Sequence, residues 1–460
     1  MIKIMNSMKN FFVCVVAFLF AACLFYGCKP KEETSVEENL EIIKSFINED
    51  DFVPLNSESG AVFFADCSSV LIDAMDNSPV YDAMKGQISQ YVMDLVFIEG
   101  ERFDSVKCNR SDQAIFNALS KRAKAGESKN ADILKSIENI CNGDREGLII
   151  TDFEAQVNGE WMDCNPYLSE PFKKWLEKGY QIDMLIEPYS EGGDAKKRFY
   201  VFFTDTTNDA SINGNLISLV NKYIEDGTCS LVTFNAKNYG IDCNNKENSC
   251  SSDISMRKIE LDEQNHQLYV IDDSWEDIKE NVMKLDSHDE AIVGEDSVPV
   301  PLIDNLKIKD GTTYEINNIK LVATNISKQY ISKQDSTLEI DNKQEIWNIS
   351  DAFDIKITSD KTIEVYLNKK IFEEKHLYSD DEGFSGNLIR LDFEVSENGY
   401  SIKPYDSEVM EWISARKNTR GKNANCVSLS IENAVTDKSV APSAPQNKLL
   451  YTIFIQTKSY

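Results

Sequence analysis

Short apolar runs separated by helical patterns mark the first half of the chain. The runs are bounded by polar residues and rich in β-forming side chains, and they cover residues 61–65, 147–151, 182–187 and 198–204. Between them, apolar side chains recur at the three- and four-residue spacing of an amphipathic helix, as in Ile133, Ile137 and Ile140. Such alternation predicts a doubly wound, Rossmann-like α/β domain over about residues 51–240.

The second half has a different pattern, with short alternating runs in a background of Asp, Asn, Ser, Thr and Lys. We predict strands at residues 318–324, 353–358, 362–367, 388–394, 426–431 and 449–455. Ser359, Asp360 and Lys361 separate two of them and predict a hairpin turn. These features are typical of an antiparallel β-sandwich, so residues 253–460 are predicted to form one or two Ig-like modules.

The N-terminal segment has the pattern of an export signal. Lys3 and Lys9 are its only charges, and an unbroken apolar stretch follows from Phe11 to Gly27. This stretch is short for a hydrocarbon core of about 30 Å, and polar residues follow it directly. We therefore expect residues 1–27 to be a cleaved signal peptide rather than a transmembrane helix.

The end of this stretch, Leu24-Phe25-Tyr26-Gly27-Cys28, resembles a bacterial lipobox. The resemblance implies that Cys28 is lipidated and becomes the new N-terminus. Cys23, which follows two alanines, is a competing site, and an ordinary secretory signal is the alternative. Because Lys29 is not the aspartate that retains lipoproteins at the inner membrane, the resemblance implies the outer membrane, at its periplasmic face or the cell surface.

Acyl chains on Cys28 would bury methylenes at about 0.8 kcal/mol each, which makes such an anchor effectively permanent. Residues 28–50 are accordingly predicted to be a lipid anchor and acidic tether. The membrane is thus an expected partner through the anchor rather than through a transmembrane helix.

The net charge and the positions of the histidines exclude some classes of function. The formal net charge is −29 at pH 7, and such a surface repels nucleic acid, whose binding needs clustered Lys and Arg. The three histidines, His266, His288 and His376, all lie in the second half. This placement disfavours a Ser-His-Asp triad in the first half. We expect no nucleic-acid partner and no enzyme activity.

Eight cysteines follow Cys28, and none of them has the CxxC spacing of a zinc site. Cys243 and Cys250 flank a small polar loop and are the candidate disulfide pair, since export permits disulfides. For the remaining cysteines, pairing and burial as free thiols are both open.

Two predicted strands of the first half end in polar residues. The first is followed by Asp66-Cys67-Ser68-Ser69, and the second ends in Thr151-Asp152. In a parallel sheet, both loops open at the carboxyl edge, where ligands normally bind. The two aspartates are therefore candidate ligand-binding residues, although Asp and Ser also cap the helices that follow strands.

This pair of loops resembles the von Willebrand factor A (vWA) fold, which holds a divalent cation with an Asp-x-Ser-x-Ser loop and a Thr-Asp-Gly loop. The resemblance implies that Asp66, Ser68 and Asp152 bind Mg²⁺ or Ca²⁺, which prefer oxygen ligands. The sequence departs from the pattern at Val70 and Phe153, which stand where the second serine and the glycine belong. It also offers no threonine between Ser69 and Thr151.

The vWA resemblance implies an adhesion-type protein that binds a protein or glycan partner at the cell envelope. Two alternatives stay open. The same loops are compatible with a metal-dependent hydrolase, since Rossmann-like folds also host such enzymes. The chain is equally compatible with a structural lipoprotein that has lost its site.

Overall fold

The computed structural model describes residues 61–66, 75, 77–99, 102–107, 132–143, 145–153, 156–157, 160–161, 166–191, 193–206, 211–243, 256–260, 267–271, 301–326, 330–332, 338–340, 347–368, 388–403 and 427–457. The predicted signal peptide, Cys28, the acidic tether, Ser68 and Cys250 lie outside these residues. Asp66 and Cys243 are described through their backbone only.

The first region alternates strands and helices, as the sequence predicts. Its strands are β1 (Ala61–Asp66), β2 (Val92–Glu99), β3 (Arg102–Lys107), β4 (Gly147–Thr151), β5 (Gln156–Val157), β6 (Glu160–Trp161), β7 (Gln181–Glu191), β8 (Asp194–Thr204) and β9 (Ser230–Asn235). Its helices are α1 (Pro79–Tyr91), α2 (Ile133–Cys141), α3 (Ser169–Glu177), α4 (Ile212–Ser218) and α5 (Asn221–Glu225).

Seven of these strands form one mixed sheet in the order β3-β2-β1-β4-β8-β7-β9. β2, β1 and β4 are parallel to one another, whereas β3, β8, β7 and β9 join antiparallel. The predicted α/β class is confirmed, but strand and helix do not alternate between β7 and β8. Glu191 pairs with Asp194 across the turn, and so short a connection permits only a hairpin.

Helices cover both faces of this sheet. On one face, Met84 of α1 and Leu216 of α4 are buried against Leu148 and Tyr200. On the other face, Ile137 of α2 and Trp175 of α3 are buried in the cluster that contains Ile149 and Val201. The apolar residues of β4 are buried on both faces, which accounts for the unbroken apolar run in the sequence.

The second region consists mainly of strands. They are β10 (Gly240–Cys243), β11 (Met256–Glu260), β12 (Gln267–Ile271), β13 (Ile303–Lys309), β14 (Tyr314–Ile316), β15 (Ile319–Asn325), β16 (Tyr330–Ser332), β17 (Leu338–Ile340), β18 (Trp347–Asn348), β19 (Phe353–Ile357), β20 (Thr362–Leu367), β21 (Leu388–Val395), β22 (Tyr400–Ile402) and β23 (Leu449–Thr457). Short 3-10 helices lie at Ser350–Ala352 and Pro445–Asn447.

Two larger sheets organise this region, with strand orders β10-β13-β20-β19 and β11-β12-β23-β21-β15-β18. Leu306 and Val365 of the first sheet share one buried cluster with Leu391, Phe393 and Ile453 of the second. The pairs are antiparallel except that β12 and β23 are parallel. A β-rich second region is therefore confirmed, with one parallel pair that the alternating pattern does not predict.

The predicted hairpin between residues 353 and 367 is confirmed. β19 and β20 pair antiparallel, and Lys361 in the turn has a φ of 66°. Its Nζ atom donates to Asp310 Oδ2 over 2.6 Å and to Glu315 Oε1 over 3.2 Å. Ion pairs thus tie the turn to the loop after β13 and to β14.

The strand predicted at residues 426–431 is wrong, because this segment begins helix α6 (Val427–Thr436). The buried positions are Val427, Ser430, Ile431, Ala434 and Val435, which follow helical spacing. Leu429, whose alternation with its neighbours favoured a strand, is 39% exposed. Six residues are too few to distinguish the two-residue period of a strand from the period of a helix, whereas the full length of α6 is sufficient.

Helix α6 joins the two regions. Ile431 and Val435 are buried in the same cluster as Phe172 and Trp175 of α3. The Leu168 N–H donates to Ser430 Oγ over 3.3 Å. The core on this face of the mixed sheet therefore includes side chains from both halves of the sequence.

None of the helices in the described part of the chain is both long and apolar enough to cross a lipid bilayer.

Candidate functional site

The connections of β1 and β4 identify one edge of the mixed sheet as a candidate ligand site. β1 leads to α1 on one face and then to β2, whereas β4 leads through β5 and β6 to α3 on the opposite face. The chain therefore leaves the neighbouring strands β1 and β4 in opposite directions. In open α/β sheets, the crevice at the carboxyl ends of two such strands is the usual ligand site.

Both predicted aspartates lie at this edge. β1 ends at Asp66, and Asp152 follows β4 directly. The register pairs Ala65 with Ile150, so the two strands end side by side, at the usual spacing of about 4.8 Å. Asp152 is partly exposed. The structure thus brings two of the three predicted ligands to one edge, as their positions after β1 and β4 predicted.

The donor set of the predicted cation site consists of oxygen atoms, which fits Mg²⁺ or Ca²⁺. Ser68 lies outside the described residues, and the backbone alone is described at Asp66. Within the described residues, no three His, Cys, Asp or Glu side chains form a group that suits a metal ion. The cation site of Asp66, Ser68 and Asp152 therefore stays a prediction.

Phe153 has an unusual backbone at this edge. Its φ of 58° lies in the left-handed region, which favours glycine. Its N–H donates to Thr151 Oγ1 over 3.1 Å, and its ring packs edge-on against Phe199 with 5.0 Å between centroids. The residue that departs from the Thr-Asp-Gly pattern thus adopts a backbone conformation that glycine favours. Its buried ring holds this conformation in place.

A buried charged cluster, which the sequence analysis missed, lies beside this edge. Glu187 of β7 and Arg198 of β8 face each other across the hairpin, and they are 4% and 1% exposed. Arg198 Nη1 donates to Glu187 Oε2 over 2.6 Å. Because Phe199, the next residue, pairs with Thr151, the cluster lies one residue beyond the end of β4.

Two hydroxyl groups complete the environment of Glu187. Tyr200 Oη donates to Glu187 Oε2 over 2.9 Å. Ser78 Oγ lies 2.8 Å from Glu187 Oε1 and 2.7 Å from Oε2, and it accepts the Tyr81 N–H at the start of α1. Burial raises the pKa of Tyr200 well above its usual range, although the Arg198 charge opposes this shift. Tyr200 is therefore a neutral donor here.

The sequence carried a partial signal for this cluster. Glu187 is the last residue of one strongly apolar run and Arg198 is the first residue of another, and both side chains are buried. Charged residues in such places are seldom buried unless they are paired. Their pairing depends on the hairpin register, however, and the local sequence pattern does not predict the hairpin.

The opposite end of β4 has a structural carboxylate. Glu146 is 8% exposed and accepts the N–H groups of Asp205, Ile212 and Asn213 and the hydroxyl of Ser211. Burial raises the pKa of Glu146, while these hydrogen bonds oppose the shift. Because its donors belong to the start of α4 and the end of β8, Glu146 serves as a helix cap and a tie between elements.

Three cysteines lie in the part of the chain that the structure describes. Cys141 and Cys229 are buried free thiols, so burial without pairing holds at these two positions. Cys243 is the last residue of β10, and its candidate partner Cys250 lies outside the described residues. The predicted disulfide is accordingly still a prediction.

Comparison with known proteins gives no relative for this chain: no family model, no curated protein and no solved structure matches it.

Proposed function

We propose that this chain is an envelope lipoprotein that binds a protein or glycan partner at the carboxyl edge between β1 and β4. The observation that carries the proposal is the position of Asp66 at the end of β1 and of Asp152 directly after β4. These neighbouring parallel strands have connections that run to opposite faces of the sheet. Open α/β sheets bind their ligands at this point. The position of the site is thus argued from topology, and its role from the vWA resemblance.

Three features support a vWA-like first region. The central strands β2, β1 and β4 are parallel, helices lie on both faces, and Phe153, at the glycine position of the motif, has a φ that favours glycine. The antiparallel strands β8, β7 and β9 extend the sheet on one side. For the second region, the common buried cluster of its two larger sheets supports an Ig-like β-sandwich.

In this proposal, Asp66, Ser68 and Asp152 hold Mg²⁺ or Ca²⁺. A bound cation would supply positive charge to an otherwise acidic edge and accept an oxygen atom from the partner. Asp152 and Asp66 position the cation, while Phe153 fixes the backbone that follows Asp152.

The anchor is tested through Cys28. Cells grown with radiolabelled palmitate should incorporate the label into the wild-type protein and into the Cys23→Ala variant. The Cys28→Ala variant should carry no label and should be absent from the membrane fraction. Label that persists in Cys28→Ala and disappears in Cys23→Ala would assign lipidation to Cys23. Label in none of the three proteins would contradict the lipid anchor.

The binding edge is tested by photocrosslinking in intact cells. A photoreactive amino acid in place of Asp152 should form a discrete adduct with an envelope protein or glycan. The matched control is the same replacement at Asp242, an exposed residue of β10. No adduct at position 152, or equal adducts at both positions, would contradict a partner site at this edge.

A further inference from the structure

Arg198 carries unused hydrogen-bonding capacity in a buried place. Its side chain is 1% exposed, and Nη1 is the nitrogen that donates to Glu187 and, over 3.3 Å, to Tyr200 Oη. Nε and Nη2 have no hydrogen-bond partner in the part of the chain that the structure describes. Buried polar groups in proteins are nearly always hydrogen-bonded, so two orphaned donors on one buried guanidinium need an explanation.

The two unused nitrogens are not an arbitrary pair. A guanidinium is planar and presents its N–H groups in a fixed fork. Nε and Nη2 lie on one edge of the guanidinium, and their N–H bonds point the same way, so together they match the two oxygens of a carboxylate. Arg198 therefore uses its Nη1 end for Glu187 and keeps a complete bidentate edge unused.

Among the described residues, no neighbouring group accepts a hydrogen bond from this edge. Glu187 accepts hydrogen bonds from Arg198, Tyr200 and Ser78. The ring of Tyr189 lies against the guanidinium, with Cζ of Arg198 5.0 Å from its centroid. An aromatic face stabilises the cation and leaves the in-plane N–H groups available to a ligand.

We propose that the Nε–Nη2 edge of Arg198 binds a carboxylate group of a ligand. A carboxylate has the planar geometry of the fork and carries a single negative charge. A phosphate would bring a second charge next to Glu187, in a chain whose net charge is −29. The site adds a ligand class to the proposed binding edge, and it does not require the cation that Asp66 and Asp152 are proposed to hold.

The guanidinium lies close to the protein surface. β9 pairs with residues 181–186 of β7, and β4 pairs with residues 199–203 of β8. The hairpin from Glu187 to Arg198 therefore projects beyond both flanking strands at the carboxyl edge. Pro188 and Ser190, on either side of Tyr189, are exposed, so solvent lies within a few residues of the guanidinium.

The test is nuclear magnetic resonance of the detergent-purified protein with ¹⁵N-labelled arginine, in the presence of EDTA. Sodium acetate should shift the Arg198 Nε–H resonance saturably, whereas sodium chloride at the same ionic strength should not. Arg198→Lys keeps the charge but loses the fork, so it should remove the shifted resonance and weaken acetate binding by about tenfold or more. The matched control is Arg390→Lys, at a partly exposed ion pair with Asp392. This variant should leave the Arg198 resonance and the affinity for acetate unchanged.

A second variant keeps the test decisive if Arg198→Lys does not fold. Tyr189→Leu removes the ring beside the guanidinium and should move the Nε–H resonance without removing the fork, which assigns the signal. Inorganic phosphate should bind more weakly than acetate. A shift by acetate indicates a small carboxylate ligand, and a shift only by a terminally blocked Gly-Asp-Gly peptide indicates an acidic protein partner.

The proposal is overturned if neither probe shifts the Arg198 resonance, or if chloride shifts it as much as acetate does. Because EDTA removes divalent cations, a failed cation site would leave the acetate response intact. Failure of the carboxylate site would likewise leave cation binding at Asp66 and Asp152 intact.

Discussion

Glu187 and Arg198 form an ion pair inside the protein, directly opposite each other on β7 and β8, with 2.6 Å between Oε2 and Nη1. A buried pair of this kind is costly to break, since removing one partner leaves an uncompensated charge. The pair also fixes the register of the hairpin where it projects past β4 and β9. Stability and the proposed binding edge therefore depend on the same two side chains.

Removing the charge of Glu187 should expose this dependence. We expect Glu187→Gln to lower the free energy of unfolding by about 3–5 kcal/mol, the usual cost of leaving one buried charge unpaired. Urea denaturation followed by circular dichroism measures it. The control is Glu364→Gln, at the Lys356–Glu364 surface pair, which should cost less than about 1 kcal/mol. Equal losses in the two variants would show that the buried pair is no more important than a surface pair.

The left-handed backbone of Phe153 predicts that glycine and alanine substitutions at this position reverse their usual order of stability. Glycine normally destabilises more than alanine, but a non-glycine residue in the left-handed region carries a penalty of about 1–2 kcal/mol. Phe153→Gly should therefore be more stable than Phe153→Ala by about 1 kcal/mol. At Phe199, its packing partner on β8 with an ordinary strand backbone, glycine should be the less stable of the two. The same order at both positions would argue against the left-handed conformation.

Asp183 predicts a pH dependence of stability. Its side chain is 1% exposed, and burial raises its pKa although hydrogen bonds from Gln181, Thr233 and Thr204 oppose the shift. The folded state therefore holds this proton more tightly than the unfolded state. The stabilising contribution is fully present below the unfolded pKa of about 3.9 and is lost as pH rises through the higher folded value.

Asp183→Asn removes this titration. The free energy of unfolding of the wild type, minus that of the variant, should fall as pH rises from about 4 toward 7. Urea denaturation at several pH values gives the difference directly. A difference that stays constant or rises with pH would contradict a raised pKa at Asp183.

Two glycines predict opposite effects of the same substitution. A β-carbon at Gly399 would overlap the backbone carbonyl oxygen of Asn318, so Gly399→Ala should destabilise by about 1–3 kcal/mol. A β-carbon at Gly86 in α1 meets nothing within 4 Å, so Gly86→Ala should stabilise by up to about 1 kcal/mol. Thermal unfolding of both variants checks the pair. A Gly399→Ala protein as stable as the wild type would contradict the close approach of Gly399 to Asn318.

The sequence predicted those parts of the fold that depend on local pattern. The runs at residues 61–65 and 147–151 became β1 and β4, because a strand covered on both faces needs an unbroken apolar stretch. The segment at residues 426–431 misled, because six residues that alternate as a strand also fit the buried face of α6. The pairing of β7 with β8 was not predicted, because the short turn between them was not recognised in the sequence.

The candidate site was predictable only in part. Asp66 and Asp152 follow predicted strands, so the rule for carboxyl edges placed them together before the structure did. The cluster joins Ser78 to Glu187 and Arg198, which lie more than a hundred positions later in the sequence. Its members meet through sheet order and hairpin register, and neither follows from the local pattern of any one segment.

The proposed function depends most directly on whether Asp66 and Asp152 act together as one binding edge. Isothermal titration of the purified protein with Mg²⁺, Mn²⁺ and Ca²⁺ tests this, with the Asp66→Ala, Asp152→Ala double variant beside an Asp242→Ala, Asp354→Ala control that removes two exposed aspartates. We predict saturable binding that the first variant loses and the control retains. Absence of binding, or binding that the first variant retains, would contradict a cation-dependent site at this edge.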